Sequence, residues 1–151
     1  MNTHSDELYQ QVILEHNKNP RNFKALSPCT HTAEGYNPLC GDHLNVYLNV
    51  TPLGLIEEVS FQGDGCAISK ASASLMTSAL KGKTITEAKA MFDEFRQLLM
   101  KEVDPAQPVV HLGKLAVFSG IWKYPSRVKC AILAWHTMKG ALDEQKVVST
   151  E

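Results

Sequence analysis

Apolar and polar residues alternate from Leu44 to Val50: Leu44, Val46, Leu48 and Val50 take one side, Asn45, Tyr47 and Asn49 the other. A period of two is that of a strand with one buried face, and Thr51-Pro52-Leu53-Gly54 then turns the chain. Leu55 to Gln62, with Val59 and Phe61 facing inward, pairs with it as a hairpin, and a short strand near Thr32 to Tyr36 extends the sheet. Ahead of the strands, Ser5-Asp6-Glu7 opens a helix in which Leu8, Val12, Ile13 and His16 recur at helical spacing until Asn19-Pro20 stops it. Arg21 to His31 reads as an irregular connection.

Behind the strands the period lengthens. Ala67 to Leu80 is rich in Ala and Ser, with Ile68, Leu75, Met76 and Leu80 as its larger apolar members, and predicts a helix with a closely packed small-residue face. Thr84-Ile85-Thr86-Glu87 fits a capping box for a second helix, whose stripe is Ala88, Met91, Phe92, Phe95, Leu98 and Leu99. Gln107 to Tyr124 has no clear period. Pro125 begins the last helix, with Val128, Ile132, Trp135, Met138 and Leu142 at spacings of three or four. Gln145 to Glu151 reads as a frayed tail. Helix, strands, then helices predicts an α+β domain, with helices packed on one face of a small antiparallel sheet of about three strands.

The 151 residues, 44% hydrophobic and 21% charged, suit one domain spanning 1–151 with a real core. A formal net charge of -1 with scattered Lys and Arg gives no footprint for nucleic acid or anionic lipid. A polar N-terminus and the lack of a bilayer-length apolar run predict a cytoplasmic protein away from the membrane. In that reducing compartment the four cysteines are expected as thiols, thiolates or metal ligands.

Three cysteines lie in separated segments: Pro38-Leu39-Cys40-Gly41-Asp42, Gly63-Asp64-Gly65-Cys66-Ala67 and Arg127-Val128-Lys129-Cys130-Ala131. With Asp42 they supply three thiols and a carboxylate, a tetrahedral donor set for zinc or iron. Gly41 permits a tight turn that converges Cys40 and Asp42. Cys66 stands at a helix entrance, where free N–H groups favour thiolate, and Cys130 has the auxiliary cations Arg127 and Lys129 beside it. Each segment alone also fits a turn, a cap thiol or a small buried hydrophobe, and only their combination points to a site. Cys29, between Pro28 and Thr30, reads as incidental.

These segments, with Asn19-Pro20-Arg21-Asn22, Asn37-Pro38-Leu39-Cys40-Gly41-Asp42, Gly65-Cys66-Ala67-Ile68-Ser69, Ala71-Ser72-Ala73-Ser74 and Val128-Lys129-Cys130-Ala131-Ile132-Leu133, occur in one order. The chain thereby resembles the U-type iron–sulfur cluster assembly family, which includes IscU, SufU and the N-terminal domain of NifU, over roughly Leu8 to Leu142. Lys129 stands where IscU-like members carry His, and Tyr124-Pro125-Ser126-Arg127-Val128 departs from their chaperone-binding motif. The stretch near 105–123 resembles a SufU-type insertion, and Arg127-Val128-Lys129-Cys130 its Arg-x-x-Cys motif.

The resemblance implies the SufE/NifU-like fold and Zn²⁺ held by Cys40, Asp42, Cys66 and Cys130. It also implies a PLP-dependent, SufS-like cysteine desulfurase that passes persulfide sulfur to Cys40, with downstream iron–sulfur assembly or apo-proteins as recipients. Three other readings stand beside this sulfurtransferase-like carrier. One is a scaffold for iron or a transient [2Fe-2S] cluster on the same ligands. Another is a structural zinc protein. The third is a cysteine hydrolase pairing Cys40 or Cys66 with a histidine, for which His43 is better placed as a strand-end polar residue. His16 and His136 are expected at the surface or boundary of helices, Trp135 in the core, and Trp122 in core, lid or partner surface.

Overall fold

The alternating segment forms the second strand of a sheet, β2 (Asp42–Val50), buried at every second residue. It pairs antiparallel with β1 (His31–Asn37) on one side and β3 (Ile56–Asp64) on the other. This computed structural model describes residues 3–100 and 112–150. The helices are α1 (Thr3–Lys18), α2 (Ala67–Leu80), α3 (Ile85–Leu99) and α4 (Pro125–Leu142), with a 3-10 helix at Gly113–Lys123. Together they make an α+β fold, with α4 across β1 and β2 and α2 against β3.

The capping box expected at Thr84 is present in both directions, and Pro125 occupies the first turn of α4. Trp135 is fully buried and packs on Phe95, whose ring meets Phe118 edge-on at 5.7 Å. Phe118 comes from the stretch without a clear period. There Leu115, Phe118 and Ile121 are buried at steps of three, the repeat of a 3-10 helix, in which i and i+3 eclipse. The rest of the expected insertion, 105–111, lies outside the described residues.

Two expectations are corrected. The sheet has four strands and is mixed, because Val147–Ser149 forms β4 and runs parallel to β1 in the order β3-β2-β1-β4. The tail is held by backbone bonds: Glu34 N–H donates to Lys146 O at 2.8 Å and Thr150 N–H to Tyr36 O at 3.0 Å. Three residues are too few to show a period, so the pairing was invisible in the pattern.

The second correction is His16, which is 5% exposed, with Nδ1 2.7 Å from Ser74 Oγ. The small-residue face of α2 lets α1 come this close. Burial, aided by the charges of Arg21 and Lys114 and opposed by Glu15, holds His16 below the ordinary value of 6.5. Below that pH the unfolded chain takes up a proton that the folded chain refuses. Stability present above it is therefore lost as pH falls toward the folded pKa. Denaturant midpoints measured from about pH 8 to about pH 5 should fall less steeply for His16→Gln than for wild type. Equal slopes would remove His16 as a cause.

Gly35 sets the distance between sheet and helix. A Cβ there would collide with Thr137 Oγ1 and stand 3.2 Å from Leu133 Cδ1. Gly35→Val should cost about 1–3 kcal/mol in urea denaturation, because it overpacks the seam between β1 and α4. An unchanged midpoint would mean that α4 yields freely.

Candidate metal centre

The β1–β2 hairpin closes with Asn37 opposite Asp42, leaving Pro38 to Gly41 as its turn. Cys40 and Gly41 N–H both donate to Asn37 O, at 3.2 and 2.9 Å, and Gly41 adopts φ 73°, where other residues are strained. Cys40 is thereby displayed, exposed, at the tip of the turn. Asp42, the first residue of β2, is 2% exposed. β3 ends beside it, with Asp64 opposite His43, and Cys66 follows as the N-cap of α2.

Cys130 arrives from the second turn of α4, whose position is set by hydroxyls of α2. Ser69 Oγ lies 3.2 Å from Cys130 O, and Ser72 Oγ donates to Ala131 O at 2.6 Å. Three of the sequence-predicted ligands, Cys40, Asp42 and Cys130, thus meet at one end of the sheet, and Cys66 lies outside that group of three, beside Asp42.

The donor atoms of Cys40, Asp42 and Cys130 lie within 4.8 Å of one another. Cys130 Sγ lies 3.4 Å from Cys40 Sγ, and Cys66 Sγ lies 4.0 Å from Asp42 Oδ2. Tetrahedral zinc–thiolate bonds of about 2.3 Å place sulfurs roughly 3.8 Å apart, so this spacing and the donor chemistry fit such an ion.

The thiols are not equivalent. A hydrogen bond from Cys130 pulls Cys66 down to about 6 against the opposing effect of burial, and Ser69 assists through its N–H and hydroxyl. The thiolate form of Cys66 is thus favoured. Cys130, 3% exposed, is pushed up by its bond to that thiolate and by burial. Of the neighbouring cations, Arg127 is exposed and lies 4.5 Å over the Tyr124 ring, and Lys129 is half-buried. Position on α4 places Cys130 among sulfurs, which outweighs its sequence neighbours.

Two further residues of the sequence motifs, Asn37 and Ser69, touch these ligands. Fully buried Asn37 donates through Nδ2 to Asp42 Oδ2 at 3.3 Å and Cys130 Sγ at 3.5 Å. Ser69 Oγ donates to Asp42 Oδ2 at 2.7 Å, and its N–H to Cys66 Sγ at 3.5 Å. A polar residue at the third position after a cap cysteine is the signal that could have found Ser69.

His43 stacks on Tyr36 at 4.6 Å and lies 3.3 Å from Glu34, as befits a strand polar residue. Cys29 is half-buried, and all four cysteines are free. Trp122 is half-buried in the 3-10 helix beside Lys123.

Residues 8–131 match the NifU-like N-terminal domain family, a span that holds all four candidate ligands. The chain belongs to that family. Among the family's relatives, the zinc-dependent sulfurtransferase SufU of Bacillus subtilis is 39% identical over 95% of this chain and 96% of its own length. The iron–sulfur cluster assembly scaffold protein IscU of Streptococcus pyogenes is 36% identical over 91% and 84%. A solved structure of an iron–sulfur cluster assembly scaffold protein for the SUF system, from Fervidobacterium islandicum, superposes with a TM-score of 0.81. It shares 32% identity and covers 90% of this chain and 97% of that one. This NifU-like chain is therefore a member of an iron–sulfur cluster assembly family, and no helix among its described residues is long and apolar enough to cross a membrane.

Proposed function

We propose that this chain is a zinc-bound sulfur acceptor of the SUF type, taking persulfide sulfur from a cysteine desulfurase at Cys40. The observation that carries this reading is the contrast within the donor set: Cys40 is exposed at a turn tip while Asp42 and Cys130 are buried behind it. The likeness to the zinc-dependent sulfurtransferase over nearly the whole chain supports it. Cys40, Asp42, Cys66 and Cys130 would hold the ion, which when bound would keep its thiol ligands deprotonated at neutral pH.

The transfer balances without an oxidant. Cys40 thiolate attacks the outer sulfur of the desulfurase persulfide, a Cys40–S bond forms, the desulfurase S–S bond breaks, and the desulfurase thiolate leaves. The sulfane proton stays with the transferred sulfur. Display on a turn lets Cys40 enter a partner's cleft, which a thiol on α4 could not do. Cytoplasmic reducing conditions would keep the four cysteines free.

A scaffold reading has its own support in the likeness to the scaffold protein of Streptococcus pyogenes, and it uses the same ligands. Metal analysis of protein purified without oxygen, joined to a desulfurase assay, separates the two. Stoichiometric zinc and stimulated turnover support the acceptor, and a cluster transferable to an apo-ferredoxin supports the scaffold. Asp42→Ala tests the structural-zinc reading: it should reduce stimulation along with metal content. Wild-type turnover from a destabilised Asp42→Ala protein would show the ion to be structural only.

A further inference from the structure

Cys40 and the other three donors differ in what holds them. Asp42 accepts three hydrogen bonds: Oδ1 from Cys66 N–H at 2.8 Å, and Oδ2 from Ser69 Oγ at 2.7 Å and Asn37 Nδ2 at 3.3 Å. An ionised carboxylate has about four lone-pair directions, so roughly one remains for an ion. Ser69 N–H holds Cys66 Sγ, Asn37 Nδ2 reaches Cys130 Sγ, and Ser69 Oγ reaches the Cys130 carbonyl. Both side chains are fully buried.

The Asn37 amide orientation follows from its neighbours. A carboxylate and a sulfur both accept, so the NH₂ must face them, and Oδ1 is then left without a hydrogen-bond partner in the interior. A buried orphan carbonyl is tolerated in exchange for two donors aimed at site ligands. Cys40, by contrast, has its side chain in solvent and touches the bracket through Cys130 Sγ.

We propose that Asn37 and Ser69 are positioning residues that bind Asp42, Cys66 and Cys130 into one rigid three-ligand bracket, so that metal stays with the protein when Cys40 is withdrawn. The proposal rests on the reading of these four residues as metal ligands. Outer hydrogen bonds of this kind fix ligand direction and are worth about 10- to 100-fold in metal affinity.

Cobalt(II) is the probe, because its visible bands report the number of thiolate ligands. Wild type is loaded with cobalt, Cys40 is capped with iodoacetamide, and bound metal is followed by absorbance and by competition with a chelator. The expected result is retained cobalt, with bands shifted to fewer thiolates. Ser69→Ala and Asn37→Leu, which remove the donors, should lose cobalt on capping and bind it about 10- to 100-fold more weakly before capping. Metal-free melting curves are compared so that misfolding is recognised, and the two variants serve as checks on each other.

Loss of cobalt from capped wild type would overturn the bracket, as would wild-type retention in both variants. Failure of uncapped wild type to take up cobalt would overturn the metal-ligand reading itself and the bracket with it. The two failures are thus distinct.

Discussion

Replacing Cys40 by serine is expected to reduce desulfurase turnover, measured as sulfide or alanine released, to the level of the desulfurase alone. The substitution deletes the nucleophile together with one proposed metal ligand, and leaves the metal-free fold as it is. Cys40 is exposed on a turn whose shape comes from backbone bonds to Asn37 and from the positive φ of Gly41, and neither depends on the thiol. Metal-free stability should change by no more than about 0.5 kcal/mol, the range for surface substitutions. Undiminished stimulation by Cys40→Ser would remove it as the acceptor.

The largest expected effect on stability follows metal removal. An ion that binds the folded chain alone stabilises it by about 4 kcal/mol when its free concentration is a thousand times Kd. For a chain of this size each kcal/mol moves Tm by roughly 2–4 °C, so stripping zinc with a strong chelator should lower Tm by roughly 8–16 °C. Cys130→Ser should abolish this dependence, because it replaces a buried donor between Cys40 and Asn37 with one that zinc binds poorly. Differential scanning calorimetry with and without chelator measures both. A chelator-sensitive Tm in Cys130→Ser would show that Cys130 is not a ligand.

Much of the fold was legible because its elements carry their own periods. The alternation from Leu44 to Val50, the capping box at Thr84 and Glu87, and Pro125 at the start of α4 are local signals that the tertiary structure leaves intact. The convergence of Cys40, Asp42 and Cys130, with Cys66 beside Asp42, was legible because donor chemistry is rare enough to stand out when separated segments repeat it.

The misreadings share a cause. β4 is held by backbone bonds to β1, and His16 is buried by the small face of α2, both relations between distant segments. Asn37 and Ser69 belong with them, since each acts on side chains that only the fold brings near. Local sequence shows which groups are available, and the packing of α2 and α4 on the sheet decides which of them become partners.

The most direct test of the account is to incubate the zinc-loaded chain with a cysteine desulfurase and cysteine, trap thiols and persulfides, and map added sulfur by peptide mass spectrometry. One added sulfur atom is expected on the peptide that carries Cys40, and none on those with Cys29, Cys66 or Cys130. Sulfur on Cys66 or Cys130 instead, or stimulated turnover with Cys40 unmodified, would contradict it.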